Sequence, residues 1–71
     1  MAKGITRERI VDAALAVLDE GGIDALTVRA VAAQLDARAP ALYWHVRNKQ
    51  DLLDEMGTEI QRRVQLALAT T

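Results

Sequence analysis

An all-α fold, a bundle of three short helices followed by a longer fourth, is what these 71 residues predict. Three observations carry the prediction. Apolar residues recur at helical spacing in three separate stretches, within 10–18, 28–35 and 52–68. Each stretch comes after a residue suited to capping a helix N-terminus: Thr6, Thr27 and Asn48. The sole proline, Pro40, opens a further short segment, where its fixed φ favours a first helical turn and its missing N–H has no intrahelical partner to lose.

The first helix is expected over about 7–20. Glu8 in its first turn suits the helix dipole and Arg7 suits it less. Ile10, Val11, Ala14, Leu15, Val17 and Leu18 cluster on one side, with Glu8, Asp12 and Asp19 opposite. Gly21-Gly22 stops it, because the left-handed conformation that closes a helix is cheapest for glycine. Ile23 to Leu26 reads as a connecting loop. A second short helix, about 27–35, then carries Val28, Val31, Ala32 and Leu35 as a buried stripe.

Asp36-Ala37-Arg38 separates that helix from a third, expected over 39–46 and finished by Arg47, since Asn48 reads better as the cap of a fourth helix. Wound at about 100° per residue, Ala39, Leu42, Tyr43 and Val46 fall on one side and Pro40, Ala41, Trp44 and His45 on the other. Leu42 and Val46 are the natural anchors, so Trp44 and His45 face outward with no apolar reason to be there. Two short helices joined by about three residues make the helix-turn-helix arrangement, in which the second helix enters the DNA major groove.

Asn48 and Asp51 start the fourth helix with the stripe Leu52, Leu53, Met56, Ile60, Val64, Ala67 and Leu68, roughly 30 Å long if it reaches Ala69. Glu59 and Arg63 are an i,i+4 pair of the helpful orientation, worth at most a few tenths of a kcal/mol. Gly57 is a candidate bend or close crossing. Leu66 lies off the stripe and reads as packing surface for further chain or another copy.

Composition excludes much else. With no Cys and no Ser, and a single His lacking a helical partner, acyl-transfer chemistry has no nucleophile and a metal has no ligand set, so neither an enzyme nor a cofactor is expected. No apolar run approaches the roughly 20 residues a membrane helix needs, and Met1-Ala2-Lys3-Gly4-Ile5 carries no targeting signal, so a cytoplasmic protein without a membrane partner is expected. The net charge of −1 argues against nucleic acid when taken alone. Its distribution says the opposite. From Ala25 to Lys49, Arg29, Arg38, Arg47 and Lys49 face only Asp36, a local +3; from Glu8 to Asp24, Arg9 faces Glu8, Asp12, Asp19, Glu20 and Asp24, a local −4. Basic charge confined to the segment with the outward Trp is the asymmetry expected when one face meets phosphates, and on charge alone a solvated mixed-charge surface fits equally. The competing reading is a small helical protein-interaction domain with Trp44 and His45 as its hot spot.

Leu26-Thr27-Val28-Arg29 together with Pro40-Ala41-Leu42-Tyr43-Trp44-His45-Val46-Arg47-Asn48-Lys49 resembles the TetR family of bacterial transcriptional repressors. The resemblance extends from Ile10-Val11-Asp12-Ala13-Ala14 through Gly22-Ile23-Asp24-Ala25 to Asp51-Leu52-Leu53, and the Leu42-Tyr43-Trp44-His45-Val46 run is similar to the tetracycline repressor subgroup. It implies a sequence-specific regulator: residues 1–48 bind double-stranded operator DNA, and 49–71 link toward a C-terminal domain absent from this chain. In the family that domain binds a small-molecule inducer and dimerises, so a homodimer is implied at full length and a monomer for these residues. The resemblance also implies that Arg29 reads a base and Thr27 holds a phosphate, while Pro40, Tyr43, Trp44, His45 and Lys49 touch phosphates or thymine methyls. Ala39 and Ala41 stand where the tetracycline repressors have a polar amide and a hydroxyl, so Arg38 is the candidate to supply what Ala39 lacks. Asp36 stands where the family usually has a turn Gly, which Asp replaces because it tolerates left-handed geometry.

Overall fold

Capping side chains start three of the helices in the computed structural model, which describes residues 4–70. Thr6 Oγ1 accepts the Arg9 N–H at 3.2 Å, Thr27 Oγ1 that of Ala30 at 3.0 Å, and Asn48 Oδ1 that of Asp51 at 2.9 Å. They precede α1 (Arg7–Gly21), α2 (Val28–Gln34) and α4 (Lys49–Ala69), with α3 (Ala39–Leu42) between the last two. The leader-free start read at Met1-Ala2-Lys3 and the terminal Thr71 lie outside the described residues.

The loop expected at 23–26 contains a 3-10 turn, Ile23–Ala25. Both glycines before it have a reason. Gly22 sits at φ 78° and ψ −175°, a region open essentially to glycine alone, and its N–H bonds the Leu18 carbonyl at 2.9 Å. A Cβ on Gly21 would lie 2.6 Å from that of Ala25, so a larger residue there would push the turn away.

Alpha2 ends one residue earlier than expected, in a Schellman motif. The Ala37 N–H reaches back to the Ala32 carbonyl at 2.8 Å and the Asp36 N–H to Ala33 at 3.1 Å, with Asp36 at φ 55°. The left-handed turn residue read from the sequence is therefore in place. Asp36→Val is expected to cost about 1–2 kcal/mol in urea unfolding and Asp36→Gly nothing, because a β-branched residue resists this conformation and glycine does not.

The third helix is shorter than the predicted 39–46. Alpha3 stops at Leu42, and the chain continues to Val46 in hydrogen-bonded turns, tight i→i−3 ones from Tyr43 N–H to Pro40 O at 3.3 Å and His45 N–H to Leu42 O at 2.8 Å, then an i→i−4 bond from Val46 N–H to Leu42 O at 2.8 Å. The cause lies in the next element. The Arg47 N–H, which a continuing helix would spend on Tyr43, is taken by Asp51 Oδ2 at 3.0 Å in the first turn of α4. Leu42 and Val46 nonetheless enter the core fully, beside Ile10, Val11, Leu26, Val31 and Leu52. Alpha1 packs on both α2 and α4, and α2 on α3.

Alpha4 departs from expectation in its second half. Of the apolar stripe read from the sequence, Leu52 and Met56 are buried, whereas Leu53, Ile60, Val64 and Leu68 are exposed. The helix outruns the bundle, so a stripe continuous in sequence is buried only in its first turns. It runs uninterrupted through Gly57, where an added Cβ would meet nothing within 4 Å, so no close crossing occurs there.

The Glu59–Arg63 pair expected from the i,i+4 spacing is present, and Glu59 holds a second arginine as well. Glu59 is fully buried, accepting from Arg62 Nε at 2.9 Å and Nη2 at 2.6 Å and from Arg63 Nε at 2.7 Å. Arg63 Nη2 also reaches Asp12 at 2.9 Å and Arg62 Nη2 reaches Glu8 at 3.9 Å, while Arg7 pairs with Glu55, so the α1–α4 seam is closed by charge. Hydrogen bonds from Arg62 and then Arg63 hold the Glu59 carboxyl at about 2, against burial, which alone would raise it.

Candidate nucleic-acid interface

Two anchors aim the surface. With Leu42 and Val46 turned into the core, the intervening residues point away from it: Trp44 is 90% exposed, Tyr43 49%, and His45 is exposed. Pro40 occupies the first turn of α3, where the Arg38 carbonyl accepts the Ala41 N–H at 2.9 Å. Pro40 and Ala41 are exposed, whereas Ala39 is half-buried and packs against the core. Arg38 is exposed just before α3, Thr27 and Arg29 are exposed at the start of α2, and Lys49 is half-buried as the first residue of α4.

The α3 turn is flanked by two shallow grooves. One, about 360 Å³, is lined by Pro40, Tyr43, Trp44 and Arg47; the other, about 330 Å³, sets Tyr43, Trp44, His45 and Arg47 beside Asp51, Asp54 and Glu55. Thr27 and Arg29 line neither. Arg47 was missing from the sequence-derived set although it borders both. Two signals for it were present, the charge count and its place inside the Pro40–Lys49 run, but no role is carried to it by the resemblance.

Charge pairing divides the cations into two groups. Arg7, Arg62 and Arg63 are neutralised in the α1–α4 seam. Among the described residues the side chains of Arg29, Arg38, Arg47 and Lys49 make no ion pair or hydrogen bond, and neither Asp24 nor Asp36 engages Arg29. Unpaired cations around exposed aromatics form a surface able to bind phosphates and cover the faces or methyl groups of bases. No helix among the described residues is long and apolar enough to cross a membrane.

A family profile described as "Bacterial regulatory proteins, tetR family" matches residues 10–56. The chain is 51% identical over 59 residues to the tetracycline repressor protein class D of Escherichia coli, covering 83% of this chain and 27% of that protein. The class H repressor protein of Photobacterium damsela subsp. piscicida gives the same figures. An HTH-type transcriptional regulator of Saccharopolyspora erythraea is 46% identical over 50 residues, covering 70% of this chain and 21% of that protein. The chain spans about a quarter of the length of the curated relatives it matches.

Proposed function

The chain belongs to the TetR family of bacterial regulatory proteins, and from that premise we propose that its residues 1–48 are a sequence-specific DNA-binding head that inserts α3 into the operator major groove. The observation that carries this is the inside–outside division of one short segment. Leu42 and Val46 are buried, Trp44 is exposed, and the cations around them are left without partners. In this reading Arg29 grips a guanine from the start of α2, while Thr27 and Lys49 hold phosphates. Arg38, Pro40, Ala41, Tyr43, Trp44 and His45 line the DNA, and Ala39 only supports them.

Residues 49–71 then lead toward a further domain that dimerises and takes a small-molecule inducer, in keeping with the length of the relatives. The intact regulator acts as a homodimeric repressor in the cytoplasm. Half-sites lie about 34 Å apart per helical turn, so the 71-residue chain alone is a monomer that binds one half-site weakly.

Titrating labelled duplex DNA at low and moderate salt tests the reading. Affinity should fall steeply with salt. Arg29→Ala should lose about 1–3 kcal/mol of discrimination at one base pair, whereas Lys49→Ala should weaken all sequences alike and reduce the salt slope by about one. Equal losses for every sequence in both variants would overturn the assigned roles. Salt-insensitive capture of a protein through Trp44 would favour an interaction domain instead.

A further inference from the structure

We propose that Arg47 grips a backbone phosphate of the DNA, with the adjoining deoxyribose lying along Pro40 and Trp44. This rests on the reading that the α3 surface meets duplex DNA, and adds a contact together with the path of the strand that makes it. The Arg47 side chain is exposed and makes no ion pair or hydrogen bond. Its root is fixed all the same. Val46 before it is fully buried, and the Arg47 N–H is held by Asp51 Oδ2 at 3.0 Å. The guanidinium therefore starts from a pinned corner between α3 and α4, so little backbone freedom is lost when it binds.

Charge decides on which side of that corner a phosphate can lie. Two grooves meet at Tyr43, Trp44 and Arg47, and they differ in sign. On the Pro40 side Arg47 is the one charged residue of the lining, beside a pyrrolidine ring, a phenol and an indole. On the other side stand Asp51, Asp54 and Glu55. These carboxylates already have donors, Asp51 in the Arg47 N–H, Asp54 in the Gln50 amide at 3.0 Å and Glu55 in Arg7, and none of them holds the Arg47 guanidinium. A phosphodiester entering the acidic groove meets like charge, whereas the Pro40 groove offers a cation at one end and rings along the rest. A nucleotide's backbone unit divides the same way, an anionic phosphate joined to a sugar with hydrocarbon faces. The planar fork of a guanidinium suits two phosphate oxygens at once. Such a contact carries no sequence information; it fixes where the strand runs, beside Pro40 and clear of Asp51 and Asp54.

The test uses the 71-residue chain and duplexes it selects from a random pool. Arg47→Ala should bind selected and unrelated duplexes alike about tenfold more weakly at low salt and reduce the salt slope by about one. Its melting temperature should stay within about 3 °C of the parent, because the side chain supports nothing in the bundle. Arg47→Lys should keep the slope and lose part of the affinity, having the charge without the fork. Replacing phosphates one at a time by uncharged methylphosphonate locates the contact. One substitution that weakens the parent should become indifferent in Arg47→Ala while still weakening Lys49→Ala. An Arg47→Ala chain that matches the parent in affinity and slope overturns the contact and leaves DNA binding standing. So does a loss confined to one base pair, which makes Arg47 a base reader, and so does a methylphosphonate profile identical in parent and Arg47→Ala. Absence of any salt-dependent duplex binding by the parent overturns both.

Discussion

Leu42→Ala is expected to cost about 2–5 kcal/mol, the range for emptying a fully buried leucine site. A 71-residue domain has about 4–11 kcal/mol in total, so the variant should melt about 10 °C or more below the parent and bind DNA poorly. Trp44→Ala is the paired measurement. Removing a side chain that is 90% exposed should change stability by less than about 0.5 kcal/mol while weakening DNA binding. Thermal melts and duplex titrations on both variants separate an anchor from a contact. Comparable destabilisation by the two would mean that the indole supports the bundle and that the recognition surface has been drawn on the wrong residues.

Glu59→Gln should remove most of the acid sensitivity of the α1–α4 seam. The folded carboxyl is held at about 2, below its ordinary 4.5, so Glu59 stabilises the fold fully above the ordinary value. That contribution fades as pH falls from about 5 toward 2. Urea midpoints tracked over this window should drop for the parent and drop less for Glu59→Gln, with the variant already weaker at pH 7 because Arg62 and Arg63 have lost the negative charge they share and one of its two acceptor oxygens. The acids Glu8, Asp12 and Glu55 are present in both chains, so the difference between the two curves belongs to Glu59. Parallel curves would show that the two arginines do not hold its proton off.

Local chemistry was legible in the sequence. The hydroxyl and amide caps at Thr6, Thr27 and Asn48, the glycine stop and the left-handed Asp36 each depend on residues within five positions, and all are readable from the chain alone. So is the split that sends Leu42 inward and Trp44 outward, because a few residues of helix fix it. What was misread depended on distant partners. Glu59 reads as half of a single i,i+4 pair, since nothing in 59–63 says that Arg62 folds back as well or that Glu8 and Asp12 wait across the seam. The length of α3 turned on a carboxylate in the next helix taking the Arg47 N–H. Ile60, Val64 and Leu68 kept perfect spacing, but spacing does not say whether anything stands opposite. At the candidate interface the motif runs from Pro40 through Lys49, but the roles it implies leave out Arg47, whose case rests on the grooves it borders.

The overhang of α4 has a consequence for amide hydrogen exchange. Up to Glu59 the helix is backed by buried Leu52 and Met56, so its peptide protons should exchange only when the bundle opens. From Val64 to Ala69 every residue is exposed, and a short stretch of solvent-exposed helix is marginal in water. Protection should therefore decay along a single continuous helix, with rapid exchange at its far end. Any body that comes to rest on Ile60, Val64 and Leu68 would register as a slowing confined to those last turns.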